Sequence, residues 1–143
     1  METIVVGVDG SECSVKALRW ALDEARLRDA KVRAVIAWLY PHVSTYHEAA
    51  HAMKASFVEE AAATLERAVA EARGEAADVE IEKEVVESLA APALVEAASD
   101  ASLLVVGSRG LGGFAGLLLG SVSQQCAHHA RCPLVIVHEG TAG

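Results

Sequence analysis

The segment Leu103-Leu104-Val105-Val106-Gly107-Ser108-Arg109-Gly110 is the most informative part of the sequence for the fold. Its apolar half, rich in Leu and Val and closed by glycine, is typical of a buried strand. The glycines that follow permit backbone conformations that other residues resist, so main-chain N–H groups are free to face a ligand. After nine intervening residues, Gly120-Ser121-Val122-Ser123 predicts the start of a helix. Amides at a helix start and serine hydroxyls favour an anion, above all a phosphate.

The composition favours one domain spanning residues 1–143. With 52% hydrophobic and 4% aromatic residues, the core is built mainly from Ala, Val and Leu. A net charge of −8 argues against nucleic acid or an anionic membrane as a partner, because both require clustered Lys and Arg.

The sequence also indicates where the protein works. No apolar run approaches the roughly 20 residues that span a bilayer, and the start, Met1-Glu2-Thr3, has no basic region of the kind that opens a signal peptide. The three cysteines, Cys13, Cys126 and Cys132, are an odd number without a Cys-x-x-Cys pair. We therefore expect reduced thiols and a cytoplasmic location.

Apolar periodicity predicts strands that alternate with helices. The strands are expected at residues 3–8, 32–38, 78–86, 103–106 and 133–138, and the helices from residue 11 onward and at 47–73, 91–99 and 120–130. Ser11 and Ser14 are candidate N-caps of the first helix. Such alternation predicts an α/β fold, a doubly wound, Rossmann-like domain of five mostly parallel strands with four helices on both faces.

Two of these predicted elements carry a more detailed pattern. The third strand alternates Val and Ile with Glu, which is typical of a half-exposed strand at a sheet edge. The long helix has an apolar stripe that should face the core, formed by Val58, Ala61, Ala62, Leu65, Val69 and Ala72.

Polar, glycine-rich turns follow the first and the fourth strand, as Asp9-Gly10-Ser11 and as Gly107–Gly110. Ligands of open parallel sheets bind beyond the carboxyl ends of the strands, where the strand order reverses. If the first and fourth strands are neighbours, both turns border one crevice.

Three segments, in this order and spacing, resemble the universal stress proteins and specifically their ATP-binding branch. They are the strand and turn Ile4–Ser11, the pattern Gly-x2-Gly-x9-Gly-Ser from Gly107 to Ser121, and the last strand Cys132–Val137. The resemblance implies strand order 3-2-1-4-5, bound ATP with or without Mg²⁺, and a homodimer that pairs Leu134–Val137 with its symmetry mate. The sequence departs from the family at Glu87-Ser88-Leu89-Ala90, where the family has Gly and then Pro near the base.

The same resemblance implies a role for each site residue. Asp9 would hydrogen-bond the ribose hydroxyls, and the backbone around Val8 and Ala37 would border the adenine. The ribose and first phosphates would contact Val106, Gly107, Ser108, Arg109 and Gly110. The outer phosphates would contact Gly120, Ser121, Val122 and Ser123, with both serine hydroxyls as donors. The Arg109 guanidinium would pair with phosphate or face solvent.

The favoured interpretation is a regulatory module that responds to ATP in stress or dormancy rather than an enzyme. A slow ATPase or nucleotidyl transferase using the same site is an alternative. No Lys lies between Gly107 and Ser123, so the site is not a Walker loop. A ligand-free dimerisation module, in which the glycines only form turns, is a second alternative.

Three further patterns are weaker. His47-Glu48-Ala49-Ala50-His51 matches the zinc-protease motif H-E-x-x-H, with Glu71 as a conceivable third ligand, but a solvated helix start is favoured and no metal is expected. Residues 110–115 match the dinucleotide fingerprint G-x-G-x-x-A, yet one strand alone follows, which argues against a dehydrogenase. Cys13, in the first turn of a helix, is interpreted as a buried residue, with a redox role as the alternative.

Overall fold

The computed structural model describes residues 1–39, 47–74, 78–110 and 119–139, and within residues 47–52 it describes the backbone alone. In chain order its elements are β1 (Thr3–Gly7), α1 (Glu12–Arg28), β2 (Lys31–Trp38), α2 (His47–Arg73), β3 (Ile81–Glu87), α3 (Ala90–Ala97), β4 (Leu103–Gly107), α4 (Ser121–His129) and β5 (Leu134–Val137). The alternation of strands and helices predicted from the apolar periodicity is confirmed.

The strands form one sheet in the order β3-β2-β1-β4-β5, and every pair of neighbours is parallel. This confirms the doubly wound order. β1 lies beside β4, with Val6 opposite Val105. Because the direction of winding reverses between β1 and β4, the loops that follow these two strands lie side by side at the carboxyl end of the sheet.

Helices cover both faces of the sheet, so the central strands are buried on both sides. On one face, Leu18 of α1 and Leu65 of α2 belong to a buried cluster with Val6 of β1. On the other face, Leu94 of α3 packs with Val5, in a cluster that includes Cys126 of α4. Successive strand residues point to opposite faces, which explains why β1 and β4 are continuous apolar runs.

The start of α1 holds the turn after β1 in place. Of the two predicted candidates, Ser11 is the N-cap and Ser14 lies inside the helix; the Ser11 Oγ accepts a hydrogen bond of 3.2 Å from the Ser14 amide. The Ser14 hydroxyl donates in return to the Ser11 carbonyl at 3.0 Å. Glu12 occupies the first turn, where a negative charge is favoured by the helix dipole. These contacts set the direction in which the chain leaves Asp9.

β3 and β5 are the two edges of the sheet, which confirms the edge position predicted for the third strand. The predicted apolar stripe of α2 is only partly right. Ala61, Leu65 and Val69 are buried, and so is Ala72, but Val58 is 38% exposed. The 27 residues of α2 extend about 40 Å, whereas the 8 residues of β2 extend about 26 Å. The N-terminal half of α2 therefore has less of the sheet to cover.

Among the described ranges, no helix combines the length and the apolarity that crossing a bilayer requires.

Candidate functional site

A cavity of about 380 Å³ opens where the ends of β1 and β4 meet the start of α4. This volume is within the range of about 300–1,000 Å³ that is usual for small-ligand sites. The structure brings all of the predicted site residues to its wall: Val8, Asp9, Ala37, Val106, Gly107, Ser108, Arg109, Gly110, Gly120, Ser121, Val122 and Ser123. The two polar turns therefore border one crevice.

Asp9 is held by the turn that connects β1 to α1. Its Oδ1 accepts hydrogen bonds from the Ser11 amide at 2.9 Å and from the Ser11 hydroxyl at 2.5 Å. The Asp9 amide donates to the Ser14 hydroxyl at 3.3 Å. Oδ2 lies against Gly110, where an added Cβ would overlap it. One oxygen of the carboxylate thus fixes the side chain, and the other faces the loop after β4.

The end of β4 packs tightly on the first turn of α1. A Cβ at Gly107 would lie 2.9 Å from Cys13 Sγ and 3.1 Å from the Cys13 main chain, so this approach requires glycine. The Ser108 amide donates to the Val137 carbonyl at 2.8 Å. The Cys13 thiol donates to the same carbonyl at 3.3 Å. Cys13 is 4% exposed, in line with its interpretation as a buried residue.

The start of α4 forms the opposite wall of the cavity. Gly120 is the N-cap in an extended conformation, and its amide donates to the Ser108 carbonyl at 2.6 Å. The first amides of a helix have no partner within the helix, and a glycine N-cap has no side chain that could cap them. The amides of Ser121, Val122 and Ser123 therefore lie at a helix terminus of the kind that favours an anion, and this terminus forms part of the cavity wall.

Ser123 stabilises this wall through hydrogen bonds to the main chain. Ser123 is 2% exposed, and its hydroxyl donates to the carbonyls of Ser108 and Gly120, each at 3.0 Å. A hydroxyl has a single proton to donate, and these two carbonyls share it. The expectation that the Ser123 hydroxyl donates to a ligand is therefore wrong for this conformation. The Ser121 side chain is exposed, and its role as a donor stays a prediction.

Arg109 has a partner that the sequence analysis did not predict, and its pairing with a phosphate stays a prediction. Its Nη2 forms an ion pair with Oε2 of Glu139, which follows β5, and its side chain is 27% exposed. The Glu139 main-chain oxygen accepts a hydrogen bond of 2.6 Å from Lys16 Nζ. Among the described residues at the cavity wall, Arg109 is the one basic side chain and Asp9 the one acidic side chain. No pattern in the sequence indicates the partnership with Glu139.

An apolar floor completes the cavity, and the sequence patterns did not assign it to the site. Ala90 and Leu94 stand one turn apart at the start of α3, and Val35 stands opposite Gly7. A Cβ at Gly7 would lie 2.7 Å from Leu94 Cδ1, so the glycine lets Leu94 pack over the end of β1. The helical period of α3 is a signal that could have placed Ala90 and Leu94 on one face. The remaining wall residues that were not predicted are Ser14, Leu119 and Gln124.

The zinc-protease pattern is not supported by the helix that carries it. His47 and His51 belong to α2, and their side chains lie outside the described part of the structure. Glu71 lies on the same continuous helix, 20 residues after His51, which places it about 30 Å along the axis. Glu71 therefore cannot bind the same metal ion as His51. Its Oε1 lies 3.9 Å from Nη2 of Arg19 instead. The described residues contain no group of three or more His, Cys, Asp and Glu that could hold a metal ion.

The dinucleotide fingerprint begins at Gly110, but residues 111–115 lie outside the described residues. α4 begins only at Ser121, and in the described part of the chain one strand, β5, follows it. The second βαβ half of a dinucleotide-binding domain is therefore not seen after this loop.

The fold and the cavity define a doubly wound α/β protein with a ligand crevice at its topological switch point. Residues 1–138 match the model of the universal stress protein family, and the chain belongs to this family. The universal stress protein Rv2624c of Mycobacterium tuberculosis (strain H37Rv) is 36% identical over an alignment of 140 residues, and the match covers 96% of this chain and 48% of that protein. The chain thus spans about half the length of the curated relatives that it matches.

Solved structures agree with this assignment. A universal stress protein crystallised in complex with cAMP is 34% identical, with a TM-score of 0.68 and coverage of 96% of both chains. The universal stress protein from Archaeoglobus fulgidus is 28% identical, with a TM-score of 0.74 and coverage of 96% of this chain and 98% of that chain. The resemblance to the universal stress protein family, inferred from the three sequence segments, is confirmed.

Proposed function

We propose that this chain binds an adenine nucleotide, ATP above all, and acts as a nucleotide-responsive regulatory module in stress or dormancy. The observation that carries the proposal is the meeting of the α4 amides and the Asp9 carboxylate at one cavity. An anion site and a hydroxyl acceptor on one cavity wall suit a molecule with phosphates at one end and a ribose in the middle. The universal stress protein with 34% identity, crystallised with cAMP, supports the same ligand class.

The apolar part of the cavity suits the adenine. Val8 and Ala37 line it near the carboxyl ends of β1 and β2, and the Val8 amide donates to the Val35 carbonyl at 2.8 Å, which holds these strand ends together. Asp9 Oδ1 is engaged by Ser11. Oδ2 would accept from the ribose hydroxyls while Val106, Gly107, Ser108 and Gly110 contact the sugar and the first phosphate.

The start of α4 suits the outer phosphates. The amides of Ser121, Val122 and Ser123, with the Ser121 hydroxyl, would donate to phosphate oxygens. Since the formal net charge is −8, these local donors rather than the overall field would attract the polyphosphate. A Mg²⁺ ion arriving with ATP would be bound chiefly by phosphate oxygens and water, because Asp9 is the one carboxylate among the described wall residues.

The direct test has two parts. Mass spectrometry of the purified chain would reveal any nucleotide that it retains. Calorimetric titration of the emptied protein with ATP, AMP, cAMP and adenosine would then rank the ligands, and we expect ATP to bind most tightly. Ser121→Ala should weaken ATP binding, whereas Gln125→Ala, on an exposed position of the same helix outside the cavity wall, should not. A folded protein that binds none of these ligands would favour the ligand-free dimerisation module.

No specific observation favours the alternative of ATP hydrolysis. Of the described wall residues, Asp9 and Arg109 are the charged side chains, and both already have partners. We therefore propose binding rather than turnover as the working activity.

We also propose that the module works as a cytoplasmic homodimer assembled through β5. β5 is an edge of the sheet, and an apolar edge left unpaired is prone to uncontrolled association. The free state of all three cysteines supports a reducing compartment. Sedimentation equilibrium would reveal the dimer, and hydrogen exchange would show whether the amides on the outer side of Leu134–Val137 become protected as it forms.

A further inference from the structure

An ion pair ties the cavity wall to the end of the last strand. Arg109 follows β4 and lines the cavity, whereas Glu139 follows β5 and is not a wall residue. Their side chains are 27% and 51% exposed, and Nη2 of Arg109 contacts Oε2 of Glu139. The hydrogen bond from Lys16 to the Glu139 main chain keeps this segment beside α1. The carboxylate is therefore held close to the loop that follows β4.

The backbone of Arg109 lies beside the start of α4. A Cβ built on Gly120 would lie 3.4 Å from Arg109 Cα, and Gly120 is the residue immediately before the first α4 amides. The four rotatable bonds of an arginine side chain let its guanidinium reach either Glu139 or an anion at this helix start. A carboxylate and a phosphate both accept from the planar N–H edge of a guanidinium, so they compete for it.

We propose that Glu139 is a specificity-determining residue, which sets the preference of the site among nucleotides by competing with their phosphates for Arg109. This inference rests on the proposed function. ATP must displace the Glu139 carboxylate to gain the guanidinium, whereas adenosine has no phosphate and leaves the pair intact. By linkage, ATP that takes Arg109 weakens the attachment of residue 139 to the loop after β4. The charge of the bound nucleotide is thereby coupled to how firmly residue 139, at the end of β5, is attached.

The test is a double-mutant cycle read with two ligands. ATP and adenosine are titrated into the wild type, Glu139→Gln, Arg109→Gln and the double variant. Glu139→Gln should raise the affinity for ATP about three- to fivefold, the effect expected for one partly exposed ion pair. It should leave the affinity for adenosine unchanged. In the Arg109→Gln background the same substitution should change ATP affinity by less than about 1.5-fold, because the contested group is gone.

Glu71→Gln is the matched control. It also removes one negative charge from an exposed ion pair, here with Arg19. Glu71 lies in the last turns of α2, which lead to the start of β3 at the end of the sheet opposite the cavity. Because salt screens charges that lie at opposite ends of the sheet, Glu71→Gln should change ATP affinity by less than about 1.5-fold.

The outcomes separate this inference from the proposed function. The inference is overturned if Glu139→Gln and Glu71→Gln change ATP affinity equally, or if Glu139→Gln still raises ATP affinity in the Arg109→Gln background. In both cases, ATP binding by the wild type would still support the proposed function. A gain for adenosine as large as that for ATP would also overturn it, because it would indicate a general structural effect. If the folded wild type binds neither ligand, both proposals fail.

Discussion

The Asp9 carboxylate lies so close to Gly110 that a Cβ at position 110 would overlap Oδ2. Asp9 follows β1 and Gly110 follows β4, so two residues that are 101 positions apart in the chain meet at this contact. The other carboxylate oxygen is fixed by Ser11. The position of the carboxylate in the cavity therefore depends on the absence of a side chain at residue 110.

Gly110→Ala should weaken binding through Asp9. The new methyl group would push the carboxylate away from the ribose position, and we expect affinities for ATP and adenosine to fall together by about tenfold. Calorimetry measures both. In an Asp9→Ala background, which removes the colliding group, Gly110→Ala should have little further effect. Undiminished binding by the single variant would show that Asp9 does not contact the nucleotide.

Gly120→Val should abolish tight ATP binding in a folded protein. A Cβ at residue 120 lies 3.4 Å from both Arg109 Cα and Ser108 O, so the two further methyl groups of valine would push against the loop after β4. We expect ATP affinity to fall more than about tenfold. Gly120→Ala is the control, because its single methyl group nearly fits and should cost about threefold at most. Circular dichroism verifies that both variants are folded.

Ser123→Ala should mainly lower stability. It removes the hydrogen bonds to the Ser108 and Gly120 carbonyls, which should reduce the free energy of unfolding by about 1 kcal/mol and Tm by about 3–5 °C. Ser121→Ala, on an exposed neighbour, should leave the free energy of unfolding within about 0.5 kcal/mol while weakening ATP binding about threefold. Urea denaturation and calorimetry separate the two effects. The reverse pattern would assign the ligand contact to Ser123.

Gly107→Ala should be more damaging than Gly7→Ala. The added methyl group at residue 107 meets the Cys13 main chain, which cannot move without displacing α1, whereas at residue 7 it meets the end of the Leu94 side chain. We expect the free energy of unfolding to fall by about 2–3 kcal/mol for Gly107→Ala and by about 1 kcal/mol for Gly7→Ala. Leu94→Ala should remove the clash at residue 7, and Cys13→Ala should only partly relieve the one at residue 107. Equal losses would contradict this account.

Glu82 predicts a pH-dependent difference in stability. Hydrogen bonds from Lys31 and then Arg33 hold the pKa of the Glu82 carboxyl below its ordinary value of 4.5. A carboxyl with a lowered pKa in the folded state stabilises above its unfolded pKa, and this contribution disappears as the pH falls through the folded value. Because the side chain is 41% exposed, Glu82→Gln should cost only about 0.5 kcal/mol at pH 7.

Urea unfolding of the wild type and Glu82→Gln at several pH values tests this directly. The difference between the two proteins should shrink below pH 4.5 and vanish once the carboxyl is protonated in both states. Glu80→Gln, at an exposed position just before β3, is the control and should show a smaller difference at neutral pH. A constant difference across the range would argue against the ion pairs as its source.

Much of the architecture was predictable because its signals are local. The apolar period of each segment indicated the helices and strands, and the full extent of α2, His47–Arg73, agreed with the prediction. Turn chemistry indicated the Ser11 cap and the two polar strand ends. The three matching segments indicated the family and with it the strand order, which period alone does not provide.

The sequence by itself therefore determined the elements, the family and part of the cavity wall, but not its apolar floor. Only the tertiary structure decided what the polar side chains do: Ser123 bonds the main chain, and Arg109 pairs with Glu139. It also showed that His51 and Glu71 lie far apart on one helix. The physical reason is that the residue type fixes only which kinds of group a hydroxyl or a guanidinium can bind. Which such group lies within reach depends on how segments distant in the chain pack together.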